Sequence, residues 1–175
     1  MDTIVRIGEK APQFILPDQD EKQFSLDGWN GWIRVLYFWS AECIWCERVD
    51  RELISFINSW EGQVKCVWIA SNANETHELI AKVAKSRDIP SVLFDEGHLV
   101  ADQYGAQVTP HFFVVNAEGK LAYQGAWDDI TFRKRVATQV YVPQVVQALR
   151  EGSTPGVTQT PAYGCELLRY PEPPA

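Results

Sequence analysis

Ile33 to Trp39 is apolar on both alternating faces, a pattern that suits a central strand covered on each side, as in a sheet with helical crossovers. The segment after this strand narrows the choice further. Cys43-Ile44-Trp45-Cys46 opens a helical pattern in which Val49, Leu53, Phe56, Ile57 and Trp60 recur at helical spacing. Asp50, Arg51, Glu52 and Ser55 are expected to face away from the core, and Gly62 marks the stop. A buried strand, a Cys-X-X-Cys motif and an amphipathic helix in direct succession read as a dithiol redox site. A cysteine at a helix N-terminus meets unsatisfied backbone N–H groups and the positive end of the helix dipole, both favouring thiolate. Cys43 is therefore expected to be exposed and nucleophilic. Cys46, one turn further in and on the apolar side, is placed to attack a mixed disulfide on Cys43.

Two cysteines three apart also suit a structural bridge or half of a zinc site. A zinc ribbon needs a second Cys-X-X-Cys or a close His pair. Here Cys66 and Cys165 are single and distant, and the histidines are His77, His98 and His111. No metal or other cofactor is expected. Cys66 lies in the next apolar strand and reads as a packing residue without chemistry.

The rest of the chain alternates strand and helix. Phe14 to Pro17 and Phe24 to Leu26 form a small N-terminal hairpin around the polar turn Asp18 to Lys22. Val64 to Ala70 reads as a strand. Leu79, Ile80, Val83 and Ala84 form a helical stripe ended by Asp88-Ile89-Pro90, and Ser91 to Phe94 is again a strand. Leu99 to Tyr104 makes a short helix with Gly105 as a left-handed cap. His111 to Val115, the turn Asn116-Ala117-Glu118-Gly119, and Lys120 to Gly125 form a second hairpin, and Val140 to Leu149 the last helix. Pro155, Pro161, Pro171, Pro173 and Pro174 keep the tail mostly irregular. The expected fold is α/β, a central mixed sheet flanked by helices. Residues 1–152 form the domain, and 153–175 form a tail packed on it or trailing from it.

Composition agrees with one globular unit: 175 residues, 46% of them hydrophobic, can bury a single substantial core. A net charge of −7 argues against nucleic acid or an anionic membrane surface as the main partner. The longest apolar run falls far short of the ~20 residues a membrane helix needs. Met1 to Lys10 carries no apolar h-region or cleavage site, so as written the chain reads as cytoplasmic, or as extracytoplasmic if a leader or anchor has been removed.

Taken together, Gly8-Glu9-Lys10-Ala11-Pro12-Gln13-Phe14, Phe38-Trp39 ahead of the cysteines, Val108-Thr109-Pro110 and Asn116-Ala117-Glu118-Gly119-Lys120 resemble the redoxin group of the thioredoxin-like superfamily. That group holds thiol-disulfide oxidoreductases and relatives of the alkyl hydroperoxide reductase and thiol-specific antioxidant proteins. The resemblance implies a cis peptide before Pro110, beside the cysteine pair, and a substrate-binding wall at Thr109-Pro110 that pairs with extended substrate. It implies protein thiols or disulfides as substrates and a reductase or oxidase that recycles the monomeric protein.

The departures from the family pattern also carry information. Where common relatives place Trp before the first cysteine and Pro before the second, this chain has Glu42 and Trp45. Glu42 and Glu47 put carboxylates near the thiolate, which raises its pKa, while Arg48 acts in the opposite direction. Trp45 serves either as a substrate contact or as packing against Trp29 or Trp32. Tyr37 stands where many thioredoxins carry a buried carboxylate, leaving water or Glu42 for proton transfer at Cys46. A thiol peroxidase is the rival reading. Its motif wants Pro seven residues before the reactive cysteine and Thr or Ser three before, and the positions hold Leu36 and Ser40. A non-catalytic interaction module is the third. Cys165, in a tail whose Gly-Cys resembles the ending of a redoxin subgroup, reads first as a free or packed thiol, with relay to the Cys43/Cys46 pair as the functional alternative.

Overall fold

The computed structural model describes residues 3–171, so the expectations for Met1, Asp2, Pro173 and Pro174 lie outside the described residues. The strands are β1 (Ile15–Pro17), β2 (Gln23–Ser25), β3 (Ile33–Trp39), β4 (Val64–Ala70), β5 (Val92–Phe94), β6 (Val108–Thr109), β7 (His111–Val115), β8 (Leu121–Gly125) and β9 (Cys165–Glu166). The helices are α1 (Ile44–Ile57), α2 (His77–Ser86), α3 (Leu99–Tyr104) and α4 (Tyr141–Arg150).

All seven residues of β3 are buried, as an apolar run on both faces demands. β3 is the middle strand of a five-stranded sheet ordered β5-β4-β3-β7-β8. β4 and β5 run parallel to it, β7 runs antiparallel to it, and β8 runs antiparallel to β7. The pleat sorts its side chains into two cores. Val35, Tyr37 and Trp39 pack with Val49 and Leu53 of α1, Ile80 of α2 and Val145 of α4. Leu36 and Phe38 pack on the other face with Val100 and Tyr104 of α3, Phe14 and Leu167. Each such side chain contributes about 1.5–3 kcal/mol by leaving water. Arg34, the one charge in the run, is also buried; its guanidinium reaches the β7–β8 turn and donates to Asn116 O at 2.9 Å.

The β1–β2 hairpin forms where the polar turn places it, and Gly105 is the left-handed C-cap of α3. Two features differ from the sequence expectations. Asp50 does not face solvent with Arg51: it is 1% exposed, and its carboxylate accepts from Trp39 Nε1 (2.8 Å), Trp68 Nε1 (3.1 Å) and Arg87 Nη1 (3.0 Å). Those partners come from β3, β4 and the end of α2, so spacing along α1 alone could not reveal them. The tail, irregular for most of its length, nevertheless contains β9 and runs along β8, with Thr160 N–H donating to Gln124 O at 3.1 Å. It thereby covers the open edge of the sheet.

Candidate active site

β3 ends at Trp39, and the chain turns through Ser40-Ala41-Glu42 into α1, whose N-cap is Cys43 (φ −88°, ψ 118°). Extended backbone at that position puts the Cys43 side chain at the N-terminal end of α1, where the first N–H groups have no intrahelical acceptor. Glu75, in the loop before α2, fixes the turn. Its carboxylate accepts from the Ser40 hydroxyl, from Ala41 N (3.2 Å) and from Glu42 N (3.1 Å). Arg87, held by Asp50, donates to Ala41 O at 3.0 Å from the other side. Neither Glu75 nor Asp50 is legible in the sequence as a site residue, because each meets its partners only through tertiary structure.

Cys43 and Cys46 are neighbours in opposite electrostatic settings. The Cys43 thiol is lowered to about 5, chiefly because the Cys46 thiol donates to it; burial opposes this, and the Cys165 thiol and the Cys46 N–H assist. The Thr109 hydroxyl itself is buried and has no partner in hydrogen-bonding geometry. Cys46 is held well above the usual thiol range, first by burial and then by Cys43. Its turn is anchored by Tyr37, whose hydroxyl donates to Cys46 O at 3.3 Å.

Pro110 comes after a cis peptide bond and brings Thr109 against the motif, so that Thr109 O lies 3.2 Å from Cys43 Sγ. Cys43, expected from the sequence to be exposed, is only 2% exposed. The tail covers it: Cys165 Sγ sits 3.0 Å from Cys43 Sγ, and Cys165 pairs with Thr109 in the β6–β9 ladder. Burial, and after it Cys43, pushes the Cys165 thiol up to about 12, so the proton between these two sulfurs rests on Cys165.

The residues flanking the motif are mostly engaged elsewhere. The Glu42 side chain is exposed and only its backbone joins the turn. Glu47 meets Arg51 at 2.6 Å and Arg87 at 4.0 Å, which directs its charge away from the thiols. Arg48 is likewise committed, to Asp128 at 2.7 and 2.9 Å. Trp45 packs on neither Trp29 nor Trp32; it meets Tyr163 of the tail edge-on, centroids 5.0 Å apart. Cys66 is partly covered by the core and has no neighbouring thiol among the described residues. No group of three or more His, Cys, Asp or Glu side chains suited to a metal occurs among the described residues.

A β-α-β-α-β order around this mixed sheet, with a Cys-X-X-Cys motif at the start of α1 and a cis-proline beside it, defines a thioredoxin-like redox protein. More narrowly, residues 7–124 match the AhpC/TSA family, and the chain belongs to that family of oxidoreductases. Among curated proteins it is similar to the thiol-disulfide oxidoreductase ResA of Bacillus thuringiensis subsp. konkukian, 27% identical over 121 residues, covering 67% of this chain and 68% of that protein. Among solved structures it is similar to a hypothetical protein of Sinorhizobium meliloti 1021 (28% identity, TM-score 0.87, covering 96% of this chain and 97% of that one). An uncharacterized conserved protein of Geobacillus kaustophilus is comparable (26% identity, TM-score 0.89, 98% and 96% covered). The likeness to these two structures extends over nearly the whole chain, well past the segment that matches the family. No helix among the described residues is long and apolar enough to cross a membrane.

Proposed function

We propose that this protein is a thiol-disulfide oxidoreductase in which Cys43 attacks, Cys46 resolves and Thr109-Pro110 docks the substrate backbone. The observation that carries the reading is the contrast between two adjacent sulfurs, one lowered to about 5 at the N-cap of α1 and the other held protonated beneath it. A thiolate present at neutral pH attacks one sulfur of a substrate disulfide, the S–S bond breaks, and the departing thiolate takes a proton. Cys43 then carries a mixed disulfide and no longer accepts the Cys46 proton. Cys46 loses its proton, attacks Cys43 Sγ and releases the second substrate thiol. The protein ends with a Cys43–Cys46 disulfide, and a recycling partner returns it to the dithiol; the reverse sequence oxidises a substrate dithiol. Protein thiols or disulfides are the substrates this reading implies, as the name of the ResA relatives also suggests.

Ser40 weighs against the peroxidase alternative, since its hydroxyl is engaged by Glu75 rather than turned toward Cys43. Equilibrium titration in glutathione or dithiothreitol buffers, with alkylation and mass spectrometry tracking each cysteine separately, tests the proposal. A reversible two-electron couple at Cys43/Cys46 is expected between about −270 and about −120 mV, the range spanned by this fold. A pair that shows no reversible couple would overturn the reading.

A further inference from the structure

Exchange between Cys43 and Cys46 leaves two thiols unused, Cys66 and Cys165, and one stretch of backbone free for substrate, and the fold brings Cys165 and that stretch together. Beyond its run along β8, the tail crosses to the motif. There β9 pairs antiparallel with β6, Cys165 opposite Thr109 and Glu166 opposite Val108. Leu167 extends the ladder, its N–H donating to Gln107 O at 3.0 Å, and its side chain is 3% exposed in the second core. Beyond it, Arg169 pairs with Asp102 at 2.8 Å, and Tyr170 N–H donates to His98 Nε2 at 3.0 Å. The segment is therefore docked on both sides of Cys165. Gly164 is the residue that allows the approach: a Cβ there would run into the Thr109 carbonyl oxygen and the Pro110 ring. β-Augmentation of a free sheet edge is a general way of holding an extended peptide, and here the peptide belongs to the same chain.

We propose that residues 164–167 are a tethered substrate, filling the docking edge at Val108-Thr109 and presenting Cys165 to Cys43 for thiol-disulfide exchange. The inference rests on the oxidoreductase reading and adds a third redox thiol to it. In the oxidised protein, the Cys165 thiolate attacks Cys43 Sγ. The Cys43–Cys165 bond forms as the Cys43–Cys46 bond breaks, and the proton shed by Cys165 ends on Cys46. The chain's oxidation level does not change, and no outside oxidant or reductant is consumed. An external protein reaches Cys43 only when the tail lifts, so the tail also competes with substrates.

The test uses the full-length Cys46→Ser variant treated with oxidised glutathione, quenched in acid, alkylated and digested without reductant. The expected product is a peptide pair cross-linked through Cys43 and Cys165, formed with release of two molecules of reduced glutathione. Cys43 trapped as a glutathione mixed disulfide, with Cys165 alkylated, would overturn the proposal. A second variant, Gly164→Ala, keeps every thiol and removes the fit; iodoacetamide should then label Cys43 about tenfold faster or more. An unchanged labelling rate would count against a docked tail. Titration of the unaltered protein separates the two levels. A normal Cys43/Cys46 couple without the cross-link sinks only the tethered substrate, whereas no couple at all sinks the reading beneath it.

Discussion

Three sulfurs in one hydrogen-bonded cluster compete for protons, and their surroundings decide which of them ionises. Cys43 has the helix N-terminus and two thiol donors; Cys46 and Cys165 have burial and the Cys43 charge. The lowered Cys43 value has a thermodynamic consequence. Between its folded value of about 5 and its ordinary value of 9.0, the unfolded chain binds a proton that the folded chain does not, so folding of the reduced protein strengthens as pH rises through that window. The contribution is complete above 9.0 and lost as pH falls through about 5. Cys165 acts with the opposite sign, its contribution present below 9.0 and lost as pH climbs toward about 12. Urea midpoints of the reduced protein should therefore rise from pH 6 to pH 8.5 more steeply than those of a Cys43→Ser variant. Parallel curves would refute the ionised-thiol account. Asp50 presents a different case at the same scale. Asp50→Asn leaves Arg87 only the more distant Glu47 carboxylate and, with one acceptor oxygen in place of two, turns an NH2 donor toward one of the two indole N–H groups, which should cost about 2–4 kcal/mol. A shift in denaturation midpoint at constant m-value is the readout, and a loss under ~1 kcal/mol would contradict it. The cysteines are legible because their chemistry is written in their spacing. Asp50 is not, because an acidic residue followed by Arg51 and Glu52 on a helix looks like surface until distant tryptophans close over it.

Elements are legible wherever burial imposes a period. β3 has no exposed face and reads as a continuous apolar run, while α1 carries its stripe from Val49 through Leu53 to Trp60, the last in a turn just beyond the helix. Periodicity does not report how one element is fixed to the next. The Ser40-Ala41-Glu42 turn takes no regular form, and its N–H groups depend on Glu75, from a loop more than thirty residues on. Nothing in the local sequence Asn72-Ala73-Asn74-Glu75-Thr76 marks that carboxylate as the clamp of the redox motif. Removing it tests the assignment. Glu75→Ala strips two backbone donors and one hydroxyl of their acceptor, at a cost of about 2–4 kcal/mol if water does not replace it. Glu75→Gln, which keeps an acceptor oxygen, should lose less than half as much. Because the turn sets where the N-terminus of α1 meets Cys43, the alanine variant should also move the midpoint of Cys43 alkylation against pH upward. An unmoved midpoint would show that Glu75 braces the fold without touching the thiol.

For the molecule as a whole, the question is whether the tail belongs to the cooperative unit. Its prolines and lack of periodicity give it the look of a loose end, and no pattern within residues 153–171 foretells β9, since a two-residue strand has no period to detect. Its attachments are nonetheless of two kinds. Along β8 it adds backbone hydrogen bonds to a sheet edge, as Thr160 N–H does to Gln124 O. Over the motif, Leu167 reaches a core shared with Leu36 and Phe38, but most of the surrounding contacts are polar and partly exposed. Local opening free energies track buried apolar contact, so the segment around Cys165 should open well below the energy of global unfolding. Hydrogen exchange of the intact protein should place the Leu167 amide, bonded to Gln107, at an intermediate protection between the exposed loops and β3. Leu167→Ala removes the only fully buried side chain of that segment; about 2–3 kcal/mol of anchoring is lost. Exchange at residues 165–170 should then speed up roughly thirty- to a hundred-and-sixtyfold, with β3 and β7 nearly unchanged. If all of them quicken together, the tail is part of the global fold and cannot lift on its own, and Cys43 would have to be reached by some other route than undocking of β9.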